Sequence, residues 1–301
     1  MTGVSFVNPR LKRRSCFLFS KSHRRAHSLD TSHVADASDV GLIPRWSSGV
    51  ATRTAPRDAH VAPVVPPLDV TSQIGISIVI PVYNENELIE PVVKSLLRET
   101  NRLPFNAELI LCENGSTDGT RETLKDLLVR YPQVRLETLD HASYGSALKC
   151  GIAAATNDVV IVFNADLWCT RFLNDSVSLL ESGFDMVIGS KRLDPGLDSR
   201  PPLRRLITYA FNRFLKHVLN FEGTDTHGMK AFRKSTAETS LQACQTEREV
   251  FDTELVLRLQ KTGARITELP VAVADQRPAR LSLLRRVPST VVDLWKIWKS
   301  L

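Results

Sequence analysis

The chain has 301 residues, 43% of them hydrophobic and 24% charged, a composition ordinary for globular proteins and sufficient for one large domain or two small ones. Its net charge of +6 is unevenly placed: residues 1–74 carry 10 Lys and Arg against 5 Asp and Glu, residues 276–301 carry 6 against 1, and residues 75–275 carry 23 against 27. Basic ends around an acidic body do not form the continuous basic face that nucleic-acid binding needs, and with no run of 18 apolar residues any membrane contact must be peripheral.

Residues 1–74 mix Ser, Arg, His, Pro and Ala without a period of 2 or 3.6 and end near the proline-rich APVVPP, so they read as a disordered basic N-terminal extension. FLF is too short for a secretory signal, while the Arg- and Ser-rich composition also fits a transit peptide. At Ile76 the composition changes. ISIVIPVY is a continuous β-branched run, as expected of a strand buried on both faces of a parallel sheet. Glu85 to Glu99 then places Leu88, Val92, Val93, Leu96 and Leu97 at helical spacing. The cycle repeats with strand AELILC, turn ENGSTDG, helix TRETLKDLLVRY, strand QVRLETL, helix SALKCGIAAAT and strand DVVIVFN. Short loops joining these βα units predict an open, mostly parallel sheet with helices on both faces. RPPLRRLITYAFNRFLKHVLN predicts a later helix, with an apolar side of Leu206, Ala210, Phe211, Leu215 and Val218. The segment 276–301 is basic and amphipathic, its Trp295 and Trp298 set among Lys296 and Lys299. It suits either a membrane interface or packing against the domain. The five cysteines are scattered and include no C-x-x-C pair, which argues against a disulfide framework or a zinc knuckle and for a reducing compartment.

Ligands of such sheets bind beyond the carboxyl ends of the strands, so PVYNE, ENGSTDGT and FNADLW are the loops to read for chemistry. Hard cations such as Mg2+ or Mn2+ take oxygen ligands, commonly one or two carboxylates plus substrate phosphates. Asp166 fits that role, and Asn164 can add a neutral carbonyl oxygen. Glu113 at a strand tip can accept hydrogen bonds from a base edge or a ribose. Pro81, Tyr83, Asn84 and Glu85 add an aromatic face, an amide and a second carboxylate beside it. Asp118 or Ser116 can cap the following helix. Arg204, Thr208 and Asn212 recur every four residues and share one helix face, either a phosphate grip or a polar surface stripe.

PVYNE, ENGSTDGT, the G-x-A-x-x-x-G run in YGSALKCGIAAATNDVVIVFNADLW, and DTHGMKAFRK together resemble a family-2 glycosyltransferase of the GT-A nucleotide-diphospho-sugar transferase fold. The similarity is strongest to the dolichyl-phosphate mannose and glucose synthases and covers roughly residues 75–285. It implies a catalytic domain over 75–275. It also implies that Pro81, Tyr83, Asn84, Glu85 and Glu113 bind the nucleotide of a sugar-nucleotide donor, of GDP-mannose or UDP-glucose type. Asn164 and Asp166 fall on the metal-binding D-x-D, where Asn removes one formal charge. Trp168 stands where mannose synthases carry a metal-reaching Gln. Lys191, in GSKR, lies where the family's basic residue approaches the acceptor phosphate, and Asp225 and His227 lie near the donor sugar.

The activity so implied is inverting, metal-assisted transfer of a hexose to a polyprenyl phosphate at the cytoplasmic membrane face. A phosphate monoester has a second pKa of about 6, so such an acceptor is anionic at neutral pH and needs no general base. Two other functions fit the same motifs: a soluble family-2 transferase acting on a sugar hydroxyl, or a catalytically weakened nucleotide-sugar-binding protein. A hydroxyl acceptor requires a carboxylate base. Asp252 is the candidate for it, although its place before ELVLRLQKTG favours a helix N-cap.

Overall fold

The computed structural model describes residues 62–67, 74–273 and 282–301, with the helical backbone alone over 282–287. The reading of 1–74 as a disordered extension lies outside the described residues, except at 62–67 and Ile74. In the former stretch Val65 is partly buried against the core.

Seven strands form one sheet in the order β3-β2-β1-β4-β6-β5-β7. These are β1 (Ile74–Val82), β2 (Phe105–Asn114), β3 (Val134–Leu139), β4 (Val159–Val162), β5 (Met186–Ser190), β6 (Lys230–Arg233) and β7 (Ile266–Pro270). All pairings are parallel except those of β6, which runs antiparallel to both β4 and β5. That reversal matters for the site. It brings the amino end of β6 to the edge where β1, β2, β4 and β5 end, with Lys230 opposite Val162 and Ile188.

The last seven residues of β1 are all buried, because helices cover both faces of the sheet. One core holds Ile78, Ile80, Leu109, Leu111 and Ile161, packed under α1 (Ile89–Thr100), α2 (Thr120–Arg130) and α4 (Thr170–Glu181). The other holds Val79, Ile110, Val160 and Phe232. It lies under α3 (Tyr144–Ala154), α5 (Pro202–Val218), α6 (Lys234–Ala243), α7 (Phe251–Lys261) and α8 (Ser282–Ser300). Alternate residues of a strand point to opposite faces, so Ile78 and Val79 fall in different cores.

Helix α1 buries Val92, Val93, Leu96 and Leu97 as its spacing predicts, but it starts at Ile89 rather than Glu85. Starting later places Pro91 in the first turn, where its missing N–H costs no helical hydrogen bond. In α3 the two glycines of G-x-A-x-x-x-G are contact points. A Cβ on Gly145 would lie 2.6 Å from the Glu247 carbonyl carbon, and one on Gly151 would lie 2.5 Å from Val79 Cγ1. Gly151 therefore lets α3 sit directly on β1 and β2. Cys112, Cys150 and Cys244 are free thiols.

Two helices depart from ordinary packing. Along α5 it is Thr208 and Asn212 that turn inward, while Leu203, Leu206, Ile207, Tyr209, Phe214 and Val218 are exposed. Of the apolar side read from the sequence, Leu206, Ala210 and Val218 are exposed, Phe211 is half-buried and Leu215 is buried. Helix α8 packs Leu294 and Ile297 into the core, while Val291, Val292, Trp295 and Trp298 are exposed.

Candidate active site

The loops after β1 and β2 are zipped together by side chains. Asn84 takes a left-handed backbone, φ 54°, which aims its amide at the second loop. Its Oδ1 accepts from Thr117 N at 2.8 Å, and its own N–H donates to Ser116 Oγ at 3.0 Å. Glu85 N donates to Thr120 Oγ1 at 3.0 Å, and Thr123 Oγ1 donates to Asn86 Oδ1 at 2.6 Å. Ser116 thus ties the loops together rather than capping α2. The cap position is Gly119 (φ 85°), although Asp118 Oδ1 does accept from Thr120 N at 3.2 Å.

Glu113 is fully buried at the tip of β2. Its carboxylate accepts from Ser116 N and from Arg121 Nε, the latter at 2.7 Å. Both of its oxygens are thus engaged within the fold, one by a backbone amide and the other by a guanidinium. Pro81 sits inside β1 opposite Cys112, and Tyr83 is 46% exposed beside the carboxylate loop, free to offer a ring face.

After β4 the chain makes a two-residue turn. Asn164 N donates to Leu167 O at 3.2 Å and Leu167 N donates back to Asn164 O at 3.0 Å, which places Ala165 and Asp166 at its tip. Asp166 stands half-buried at the sheet edge, whereas Trp168 is buried in the core. Trp168 is therefore a packing residue here. Among the described residues no three His, Cys, Asp or Glu side chains converge as a metal-holding group. One carboxylate and one amide carbonyl on a short turn still fit a hard divalent ion whose remaining oxygens come from phosphates and water.

Beside this turn lies a buried cluster of charge. Asp225 Oδ2 is 2.8 Å from Lys191 Nζ, and Asp225 Oδ1 accepts from His227 N at 3.1 Å. Lys191 Nζ also donates to the His227 carbonyl, so its charge is committed within the fold. Asp252 Oδ2 is 3.0 Å from Lys230 Nζ and 3.1 Å from the Tyr144 hydroxyl. Asp252 is the second residue of α7, with Val250 at the cap position, so the N-cap reading is incorrect. Its partners come from β6 and α3 instead. Burial pushes the Asp225 carboxyl up, but the Lys191 ammonium overrides it and holds the group below the ordinary carboxylate range. Burial lowers the Lys230 ammonium against the opposing pull of Asp252, and it lowers the His227 imidazole as well. Burial and then the Asp252 charge raise the Tyr144 hydroxyl, so it remains a donor.

Against Thr208 of α5 lie two guanidinium groups that the sequence did not single out. Arg192 Nη1 approaches Thr208 O at 3.4 Å and stacks 4.9 Å from the Tyr209 ring centre. Arg200 Nη1 lies 3.5 Å from Thr208 Oγ1 while its other nitrogens clasp Asp198. Arg204 is one turn before Thr208, whose hydroxyl donates to the Arg204 carbonyl at 3.0 Å. Asn212 Nδ2 continues the row to Thr208 O at 2.9 Å, and its Oδ1 is buried without a hydrogen bond. Arg192 immediately follows the GSK tripeptide, which was the available signal for it.

A mostly parallel sheet with one reversed strand, carrying polar loops and an acidic turn along its carboxyl edge, defines a GT-A glycosyltransferase domain. More particularly, the chain belongs to glycosyl transferase family 2, whose model matches residues 77–240. Among characterised relatives, the glycosyltransferase AglD of Haloferax volcanii is 28% identical over 231 residues, 75% of this chain but 37% of that protein. A dolichyl-phosphate hexose transferase of the same organism is 27% identical over 203 residues, 67% of this chain and 83% of that one. The dolichyl-phosphate beta-glucosyltransferase of Dictyostelium discoideum is 26% identical over 216 residues, 66% of each chain. The chain thus spans a little over a third of AglD and about two thirds of the Dictyostelium enzyme. In fold it resembles glucosyl-3-phosphoglycerate synthase from Mycobacterium tuberculosis, solved with Mn2+, UDP and phosphoglyceric acid. The TM-score is 0.57 at 20% identity, over 76% of this chain and 80% of that one.

Proposed function

We propose that this domain transfers a hexose from a nucleotide sugar to a polyprenyl phosphate, with inversion, at a membrane surface facing the cytoplasm. The observation that carries the reading is the pair of guanidinium groups, Arg192 and Arg200, that the preceding loop sets against Thr208 of α5, a helix whose outer face is apolar and exposed. Phosphate suits the guanidinium side. Lipid suits the side bearing Leu203, Leu206, Ile207 and Phe214, with Trp295 and Trp298 of α8 as interfacial aromatics. No helix among the described residues is long and apolar enough to cross a membrane, and the two named dolichyl-phosphate transferases support the acceptor class.

The donor nucleotide would lie against Tyr83, Asn84 and Glu113, with its diphosphate toward Asp166. A divalent ion, Mg2+ or Mn2+, held there by Asp166 and Asn164 would neutralise charge on the departing diphosphate. The protein's own task is alignment. Arg192 and Arg200, with Arg204 one turn before Thr208, would place the acceptor oxygen, already ionised, behind the anomeric carbon, and Asp225 and His227 would line the sugar side. His227, its imidazole lowered by burial, is neutral at pH 7 and offers a hydrogen bond without charge. Asp252 is bound to an ammonium and a phenol on one oxygen, which argues against its being the base for a hydroxyl acceptor.

The test is a panel of radiolabelled GDP-mannose, UDP-glucose and related donors, with polyprenyl phosphate and with manganese or a chelator. Label entering the organic phase with one donor and lost on chelation is the expected result. Label entering only water-soluble products would overturn the acceptor assignment.

A further inference from the structure

Glu268 belongs to the terminal strand of the sheet, β7, and to none of the motifs above, yet it is 8% exposed and collects three donors from the site. Its Oε1 accepts from Thr224 N at 2.6 Å and from Asp225 N at 3.1 Å, and its Oε2 accepts from Thr224 Oγ1 at 2.5 Å. Thr224 Oγ1 lies 2.6 Å from Ser190 Oγ, and Ser190 Oγ accepts from Arg192 N at 3.1 Å and Leu193 N at 3.2 Å. One carboxylate therefore reaches both loops of the acceptor side. Through two hydroxyls it fixes the turn that aims Arg192, and through the Asp225 amide it fixes the aspartate that pairs with Lys191. The approach is close: a Cβ on Gly223 would lie 2.7 Å from Glu268 Oε1, so only glycine leaves room for the carboxylate.

We propose that Glu268 is a positioning residue for the acceptor phosphate, acting on Arg192 through the Thr224 and Ser190 hydroxyls and on the Lys191–Asp225 pair through the Asp225 amide. What is positioned rests on the polyprenyl-phosphate reading above, whereas the network itself stands on the distances alone. A carboxylate accepts all three donors; an amide side chain keeps one acceptor oxygen and adds a donor where the network supplies donors. Buried groups left without partners are costly, so the two loops relax rather than hold their geometry.

The experiment compares Glu268→Gln, Thr224→Val and Thr224→Ser with the unaltered chain. Thr224→Val is isosteric and cuts only the hydroxyl relay, and Thr224→Ser restores it. Steady-state transfer to polyprenyl phosphate is expected to show an acceptor KM raised about tenfold in Glu268→Gln and Thr224→Val, at the scale of one charge-assisted bond lost. The donor KM stays within about twofold, and Thr224→Ser behaves as the unaltered chain. Donor and acceptor KM moving together, or neither moving while thermal stability falls, would show a purely structural role and overturn the proposal. Amide hydrogen exchange without substrates is read in parallel. Faster exchange at Arg192, Leu193 and Asp225 in Glu268→Gln, with β1 and β2 unchanged, supports the network, and unchanged exchange refutes it. If the unaltered chain transfers nothing to a polyprenyl phosphate, the acceptor reading falls and the positioning role with it, and exchange separately decides whether Glu268 organises the two loops.

Discussion

Replacing Lys230 by Met removes the ammonium 3.0 Å from Asp252 while keeping most of the side-chain volume. Lys230 is 1% exposed and Asp252 is 2% exposed, so water cannot replace the lost partner. The Tyr144 hydroxyl still donates, at 3.1 Å, but it is neutral. Breaking a buried pair from one side costs about 3–5 kcal/mol, because the other charge is left uncompensated. For a domain of this size about 1 kcal/mol corresponds to roughly 2–4 °C, so the melting temperature should fall by about 6–20 °C. The assay is denaturant unfolding, with calorimetry alongside. The triple change Tyr144→Phe, Lys230→Met and Asp252→Leu removes the ion pair and its phenol together, leaving only the Gly228 carbonyl without its Lys230 donor, and it should recover much of the stability. A loss below about 1 kcal/mol for Lys230→Met, or a triple variant no more stable than the single one, would refute the account of this cluster as a desolvated ion pair.

Gly151→Ala should destabilise by about 1–3 kcal/mol, because a methyl there meets Val79 and Cys112 in the sheet; unfolding midpoints check it. At the opposite edge of the sheet, burial pushes the Glu108 carboxyl up. Bonds from Ser77, Thr156 and Arg135 outweigh that and bring it from 4.5 to about 2. The folded state thus holds its proton less tightly than the unfolded one. The stabilisation is complete above pH 4.5 and is lost as pH falls toward 2. Glu108→Gln should flatten stability against pH across that window, as urea titrations at stepped pH would show. Leu206→Ser combined with Trp298→Ser should weaken co-sedimentation with anionic vesicles at least several-fold and leave the unfolding midpoint nearly unchanged, since both side chains are more than half exposed.

Much of the fold is legible because its signals are local. The β-branched run at Ile76, the spacing of Val92, Val93, Leu96 and Leu97, and the polar loops at strand ends each follow from a short window of sequence. Asp252 was misplaced for the complementary reason. An acid at the start of a helix looks like a cap, and nothing nearby in the chain reveals that Lys230 and Tyr144 will meet it. The inward turn of the polar side of α5 has a similar cause. Amphipathic helices ordinarily bury their apolar side, and only the loop carrying Arg192 and Arg200 shows why this one turns Thr208 and Asn212 inward. Strand β6 hides the rest, since its antiparallel course is what carries residues 225–230 to the edge that holds Asp166. Glu268 lay outside every motif because it acts on backbone amides and hydroxyls rather than on any charged partner in sequence.

The central claim is that Asp166, at the tip of its turn, supports hexose transfer onto an already ionised phosphate. The most direct measurement is the rate of label transfer from the preferred nucleotide sugar to purified polyprenyl phosphate by Asp166→Ala, with its unfolding curve taken alongside. The account predicts transfer reduced by about 10²-fold or more with an unchanged unfolding midpoint. Full transfer to the lipid phosphate by the folded variant would contradict it.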